Sequence, residues 1–155
     1  MFHRLGKTVK KRTMKINLNR VDNAFHFEAE NEDGKIVSID AAEAIGGGNN
    51  GVRPMQLLLM GLGGCSGIDV VNILKKQRKE LDDLSIEIEA NRFENQEPSL
   101  FENIHISFKM IATDLDDKKA LRAVTLSMEK YCSVSAILEK TAKITFNAYL
   151  NGVKL

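Results

Sequence analysis

The chain has no tryptophan, 6% aromatic residues, and only two cysteines and two prolines in 155 residues. With a formal net charge of +1, it lacks both the basic excess and the stacking side chains of a nucleic-acid binder. Cys65 and Cys132 are too few for a disulfide-stapled secreted scaffold. No CxxC occurs, which excludes a zinc ribbon or a thioredoxin-type motif and points to a reducing, cytoplasmic setting. The opening stretch MFHRLGKTVKKRTM is basic and has no apolar core, so it does not read as a secretory signal. A disordered basic extension over residues 1–13 and a single domain over 14–155 are expected. Long hydrophobic runs are also missing. The uncharged apolar stretch Leu57 to Ile68 is too short to span a bilayer and is followed by Asp69 and Asn72, so no membrane partner is expected.

What is present is strongly patterned. Residues 14–40 alternate in three runs separated by Asp22-Asn23 and Asp33-Gly34, the signature of a three-stranded antiparallel meander. His26, between Phe25 and Phe27, is expected on the solvent face. The run GGGNNG (46–51) lacks the lysine and Ser/Thr of a phosphate-binding loop and reads as a flexible loop leading into a helix. Pro54 suits a first helical turn. The helix is expected to continue to about Lys79, where KKQRK complements the dipole. Segment 55–74 is apolar on nearly every side and should be a central, buried helix. Residues 84–93 and 102–112 alternate as strands, with His105 an ordinary strand residue. Asp114 is a candidate N-cap for a helix carrying Leu121, Val124 and Met128, SVSAILEK reads as a further short helix, and 144–150 as a last strand. The order βββ-α-ββ-α-α-β indicates an α+β fold.

The central helix contains GLGGCSGIDVV (61–71), with four glycines around Cys65. Each costs roughly 1 kcal/mol relative to alanine inside a helix. Small residues allow close approach of another backbone, or access of a small substrate to the sulfur. A buried, inert cysteine at a tight helix crossing satisfies the same pattern. A reactive cysteine attacks as the thiolate. Cys65 sits roughly 16 Å along the helix axis from Pro54, beyond the reach of the helix dipole, and Asp69 one turn on opposes ionisation. A cation must come from elsewhere: Arg20 near the first hairpin, or Arg53 from a second subunit. Cys132 lies just before a helix start, where backbone N–H groups favour an anion.

RPMQLLLMGLGGCSGIDVVNILKKQR (53–78) together with KYCSVSAILEK (130–140) resembles the OsmC/Ohr family. The resemblance extends over strand order from about Met14 to Leu155 and is nearer the OsmC-like branch than the dedicated hydroperoxide reductases. It implies an OsmC-like fold, with antiparallel sheets around a central helix, and an intertwined homodimer with sites at the subunit interface. It also implies thiol-dependent reduction of organic hydroperoxides in oxidative-stress defence, with an external dithiol as reductant and no metal or other cofactor. By motif, Cys65 would be the attacking thiol and Cys132 the resolving one, with Arg20 nearest the family's catalytic arginine. The chain departs from the family where a glutamate is usual: Met55 and Gln56 occupy those positions, and Gln56 can hydrogen-bond an arginine without forming a salt bridge. Ser133 replaces the usual proline after the second cysteine. Leu58, Leu62 and Ile68 are expected to wall the thiol and favour alkyl hydroperoxides. The alternative is a non-catalytic OsmC-like dimer that binds a small apolar ligand, its cysteines inert. A metal site would require Cys65, Cys132 and a histidine to converge.

Overall fold

The computed structural model describes residues 13–155; the remainder of the expected basic extension, residues 1–12, lies outside the described residues. The chain forms two compact units, one ending at Pro54 and the other spanning Met55–Leu155.

The first unit holds β1 (Ile16–Arg20), β2 (Phe27–Asn31) and β3 (Ile36–Ile39) in an antiparallel meander. Asp22 and Asn31 build its turns. The Asp22 carboxylate accepts from the Ala24 and His26 amides, and the Asn31 side-chain oxygen accepts from those of Asp33 and Lys35. Gly34 supplies the positive φ of +73° that the second turn requires. Several apolar side chains of this sheet stay uncovered: Ile16 and Leu18 are each 55% exposed. His26 departs from its expected solvent-facing position. It precedes β2 rather than lying within it, and its Nε2 is buried with no hydrogen-bond partner among the described residues.

The glycine run is also more ordered than a flexible loop. The buried Asp40 carboxylate accepts from the Ala41, Gly48 and Asn50 amides at 2.7, 3.0 and 2.9 Å. These bonds, the Asn50 amide foremost, hold its carboxyl below the ordinary 3.8, although burial acts the other way. A Cβ at Gly47 would fall 2.1 Å from the Ala41 carbonyl oxygen, so the turn is closed by backbone against backbone.

In the second unit, α1 (Pro54–Lys76, its first residue the last of the first unit) is followed by β4 (Asp83–Arg92) and β5 (Phe101–Ile111). Next come α2 (Asp117–Leu126), a π turn (Ser127–Tyr131), α3 (Ser133–Leu138), β6 (Lys143–Leu150) and β7 (Val153–Lys154). The sheet order is β4-β5-β6-β7. The antiparallel expectation holds for β4–β5 and β6–β7, but β5–β6 is parallel. The helical segment between them carries the chain back to the end where β5 began, as a parallel pair requires. Alternation puts Ile86, Ile88, Ile104, Ile106, Phe108 and Phe146 on one face, in or against the core, while Glu87, His105, Lys109 and Asn147 lie on the other.

α1 contributes Leu62, Val70 and Leu74 to that core. The uncharged run by itself is too short, but the whole helix is long and apolar enough, by length and composition alone, to cross a membrane, a test that core helices also pass. Its glycines divide by environment. A Cβ on Gly67 would meet Ile86 Cδ1 at 2.8 Å and one on Gly63 would meet Ile88 Cδ1 at 3.2 Å, so this pair lets helix and sheet approach closely. Gly61 and Gly64 have nothing within 4 Å of the same point. The helix ends at Lys76, short of Lys79, because Arg78 takes a φ of +58° while the Arg78 and Lys79 amides return to Lys75 and Leu74. The N-cap of α2 is Asp116, whose side chain accepts from the Lys119 amide at 2.9 Å. Asp114, the expected cap, instead pairs with Lys79 at 2.6 Å.

Candidate functional site

Cys65 lies in the fourth turn of α1 and is half-buried. Cys132 forms the N-cap of α3 and is 3% exposed. Two serines lock these elements together. Ser66 donates to the Leu62 carbonyl at 2.7 Å, a back-bond inside α1. Ser127 donates across to the Ser66 carbonyl at 3.0 Å, and the Ser127 carbonyl accepts from the Cys132 amide at 2.8 Å. The π turn therefore ties the residue beside one cysteine to the backbone of the other. The two sulfurs and a carboxylate oxygen of Asp69 all lie within 4.8 Å of one another. Asp69 follows Cys65 by one helical turn, so both project from one face. Its Oδ2 is buried and has no hydrogen-bond partner among the described residues.

Burial pushes the Cys132 thiol up to about 11; the Ser135 amide, donating to its sulfur at 3.4 Å, pulls the other way, and the neighbouring Cys65 adds to the rise. The anion-favouring helix start expected at Cys132 is real, but desolvation outweighs it. Alkylation of the folded, reduced protein at neutral pH is expected to modify Cys65 first, followed by intact mass. The Cys132 rate should climb about tenfold per pH unit towards about 11, tracking its thiolate fraction. Equal rates at neutral pH would contradict this ordering.

The other expected residues are distributed as follows. Arg20 ends β1 opposite Phe27 and is exposed. Arg53 precedes α1 rather than lying on it, and donates to the Asp40 and Gly51 carbonyls at 3.1 and 2.9 Å. Both belong to the first unit. Gln56 is exposed in the first turn of α1. The three wall residues divide between surface and core: Leu58 is 44% and Ile68 72% exposed, whereas Leu62 is fully buried.

The second unit also contains groups that the sequence did not single out. Arg122 and Tyr131 join Lys76 and Asp69 in lining a cavity of about 410 Å³. Arg122 is remote from Cys65 in sequence and carries no motif, so only the fold could associate them. For metal binding, the two cysteines do converge, but the third ligand-bearing group is Asp69 and not a histidine.

Comparisons with known proteins agree with this architecture. The chain is 46% identical to Protein YhfA of Escherichia coli strain K12 over 101 residues, 63% of this chain and 75% of that protein. A crystal structure from Aquifex aeolicus VF5 shares 31% identity, with a TM-score of 0.74 over 91% of this chain and 99% of the other. The Organic Hydroperoxide Resistance Protein OhrB of Bacillus subtilis shares the fold at 23% identity, with a TM-score of 0.61 over 90% of this chain and 98% of that one. The family model described as OsmC-like protein matches residues 46–147, more than half of the chain and including both cysteines, and the chain belongs to that family.

Proposed function

We propose that the protein reduces organic hydroperoxides through Cys65 and Cys132, as a homodimer in a reducing, cytoplasmic setting. The observation that carries this reading is the convergence of the two sulfurs within 4.8 Å from separate elements. The Cys65 thiolate attacks the O–O bond, forming S–O and releasing the alcohol after protonation of the leaving oxygen. The resulting sulfenic acid condenses with the Cys132 thiol, giving a disulfide and water. An external dithiol then restores both thiols by exchange. Burial of Cys132 suits the second step, since a resolving thiol is needed only after Cys65 is oxidised. Arg20 is assigned as the cation and Gln56 as its positioning partner through the family motif, with the exposed Leu58 and Ile68 as apolar surroundings of the substrate and Leu62 left to the core. The hydroperoxide resistance named for the Bacillus protein supports the same substrate class.

Dimerisation is inferred from uncovered apolar surface. Leu58, Met60 and Ile68 are exposed on α1, together with the open positions at Gly61 and Gly64. Contiguous apolar surface of this kind marks an interaction site. Sedimentation at micromolar concentration is expected to give the dimer mass; a monomer would remove the interface-site reading.

The test of function is exposure of the reduced protein to cumene hydroperoxide with dimedone present, followed by intact mass. A dimedone adduct on Cys65, in competition with disulfide formation, is the expected result. A second reading, a non-catalytic dimer that binds a small apolar ligand with inert cysteines, draws on the buried Asp69 carboxylate beside the thiols. It predicts neither adduct nor disulfide.

A further inference from the structure

We propose that the reduced protein binds a thiophilic divalent cation, of which zinc is the type, through Cys65, Asp69 and Cys132. The inference goes beyond the peroxide reading and does not depend on it. Tetrahedral zinc with Zn–S near 2.3 Å and Zn–O near 2.0–2.2 Å places its ligand atoms about 3.5–3.8 Å apart. The three atoms here lie within 4.8 Å of one another, so side-chain adjustments of about 1 Å would close the set. Cys65 and Asp69 are one turn apart on α1, and Cys132 is fixed against them through Ser127 and Ser66. The frame is therefore built without the metal.

The independent indication is the Asp69 carboxylate. The residue is half-buried, but its Oδ2 is buried without a hydrogen-bond partner among the described residues, and a carboxylate oxygen withdrawn from water without a partner is costly. A cation between it and the sulfurs removes that cost. Two thiolates and one carboxylate select a borderline-soft ion over calcium or magnesium, which prefer all-oxygen sets. Three protein ligands leave a fourth position open, and one of them, Asp69, also lines a cavity. The same sulfurs cannot hold the ion once they are joined as a disulfide, so binding belongs to the reduced state alone.

The experiment is anaerobic titration of the reduced, metal-free full chain with Zn²⁺ by calorimetry and with Co²⁺ by absorption. One equivalent per chain is expected, with a thiolate-to-cobalt charge-transfer band and tetrahedral ligand-field bands. Asp69→Asn, near in shape, should weaken binding about tenfold or more while keeping the melting temperature. Cys65→Ser should lose most of the charge-transfer intensity. Bound zinc should also protect both cysteines of the wild type from alkylation, a readout that needs no variant. Absence of the charge-transfer band in the wild type, or unchanged affinity in a folded Asp69→Asn, would overturn the proposal. Peroxide consumption is scored separately on metal-free protein, so the two readings fail independently.

Discussion

Cys65→Ser is expected to reduce peroxide consumption to the uncatalysed background, while Cys132→Ser retains the first chemical step and stops there. The asymmetry follows from the setting of the two sulfurs. Cys65 is half-buried on α1, while Cys132 is almost fully enclosed and its thiol is pushed up to about 11. A thiol kept protonated at neutral pH is a poor first nucleophile. It can still close a disulfide once its neighbour has become an electrophilic sulfenic acid. In Cys132→Ser, one equivalent of peroxide per chain should disappear rapidly and Cys65 should be left as a dimedone-reactive sulfenic acid. Wild type treated identically should end as an intramolecular disulfide. Rapid quench with intact mass distinguishes these products. Equal loss of the first turnover in both variants would remove the assigned roles.

Leu62→Ala is expected to destabilise the fold by about 2–5 kcal/mol, whereas Leu58→Ala should stay within about 0.5 kcal/mol for the isolated chain. Leu62 is fully buried in the core shared with Ile86, Phe108 and Val70. The gap left by its truncation cannot close easily, because Gly63 and Gly67 already bring α1 about as near to β4 as side chains allow. The corresponding fall in melting temperature is roughly 5–15 °C for a chain of this size. A variant that kept its melting temperature but lost affinity for alkyl hydroperoxides would instead make Leu62 primarily a substrate contact.

Much of the fold was legible because burial on one face imposes a period. β4 and β5 were placed to within a residue by alternation, and α1 by its apolar length. Direction was not legible. Alternation carries no arrow, so nothing in residues 143–150 announced that β6 would run parallel to β5. Asp116 and Asp114 both suit a cap by residue type; the fold gives the cap to Asp116, which accepts from the Lys119 amide, and pairs Asp114 with Lys79. Asp40 organises the glycine run through backbone amides, which leave no trace in side-chain spacing. At the site, family resemblance paired Cys65 with Cys132, and helical spacing put Asp69 beside Cys65. The π turn that brings them together adds a residue to the helical ladder, and no 3.6-residue pattern encodes it. Arg122 reached the adjoining cavity through tertiary packing alone.

The cap of α3 links covalent chemistry to local order. Helix starts are usually held by a hydroxyl or carboxylate oxygen; this one rests on a sulfur, a weak acceptor, and the helix behind it is six residues long. When Cys132 turns towards Cys65, the Ser135 amide loses its sulfur acceptor, and a helix this short has little internal cooperativity with which to resist fraying. The oxidation state of the sulfur pair is thereby transmitted to the backbone of residues 133–138, where amide exchange would register it as a change in protection.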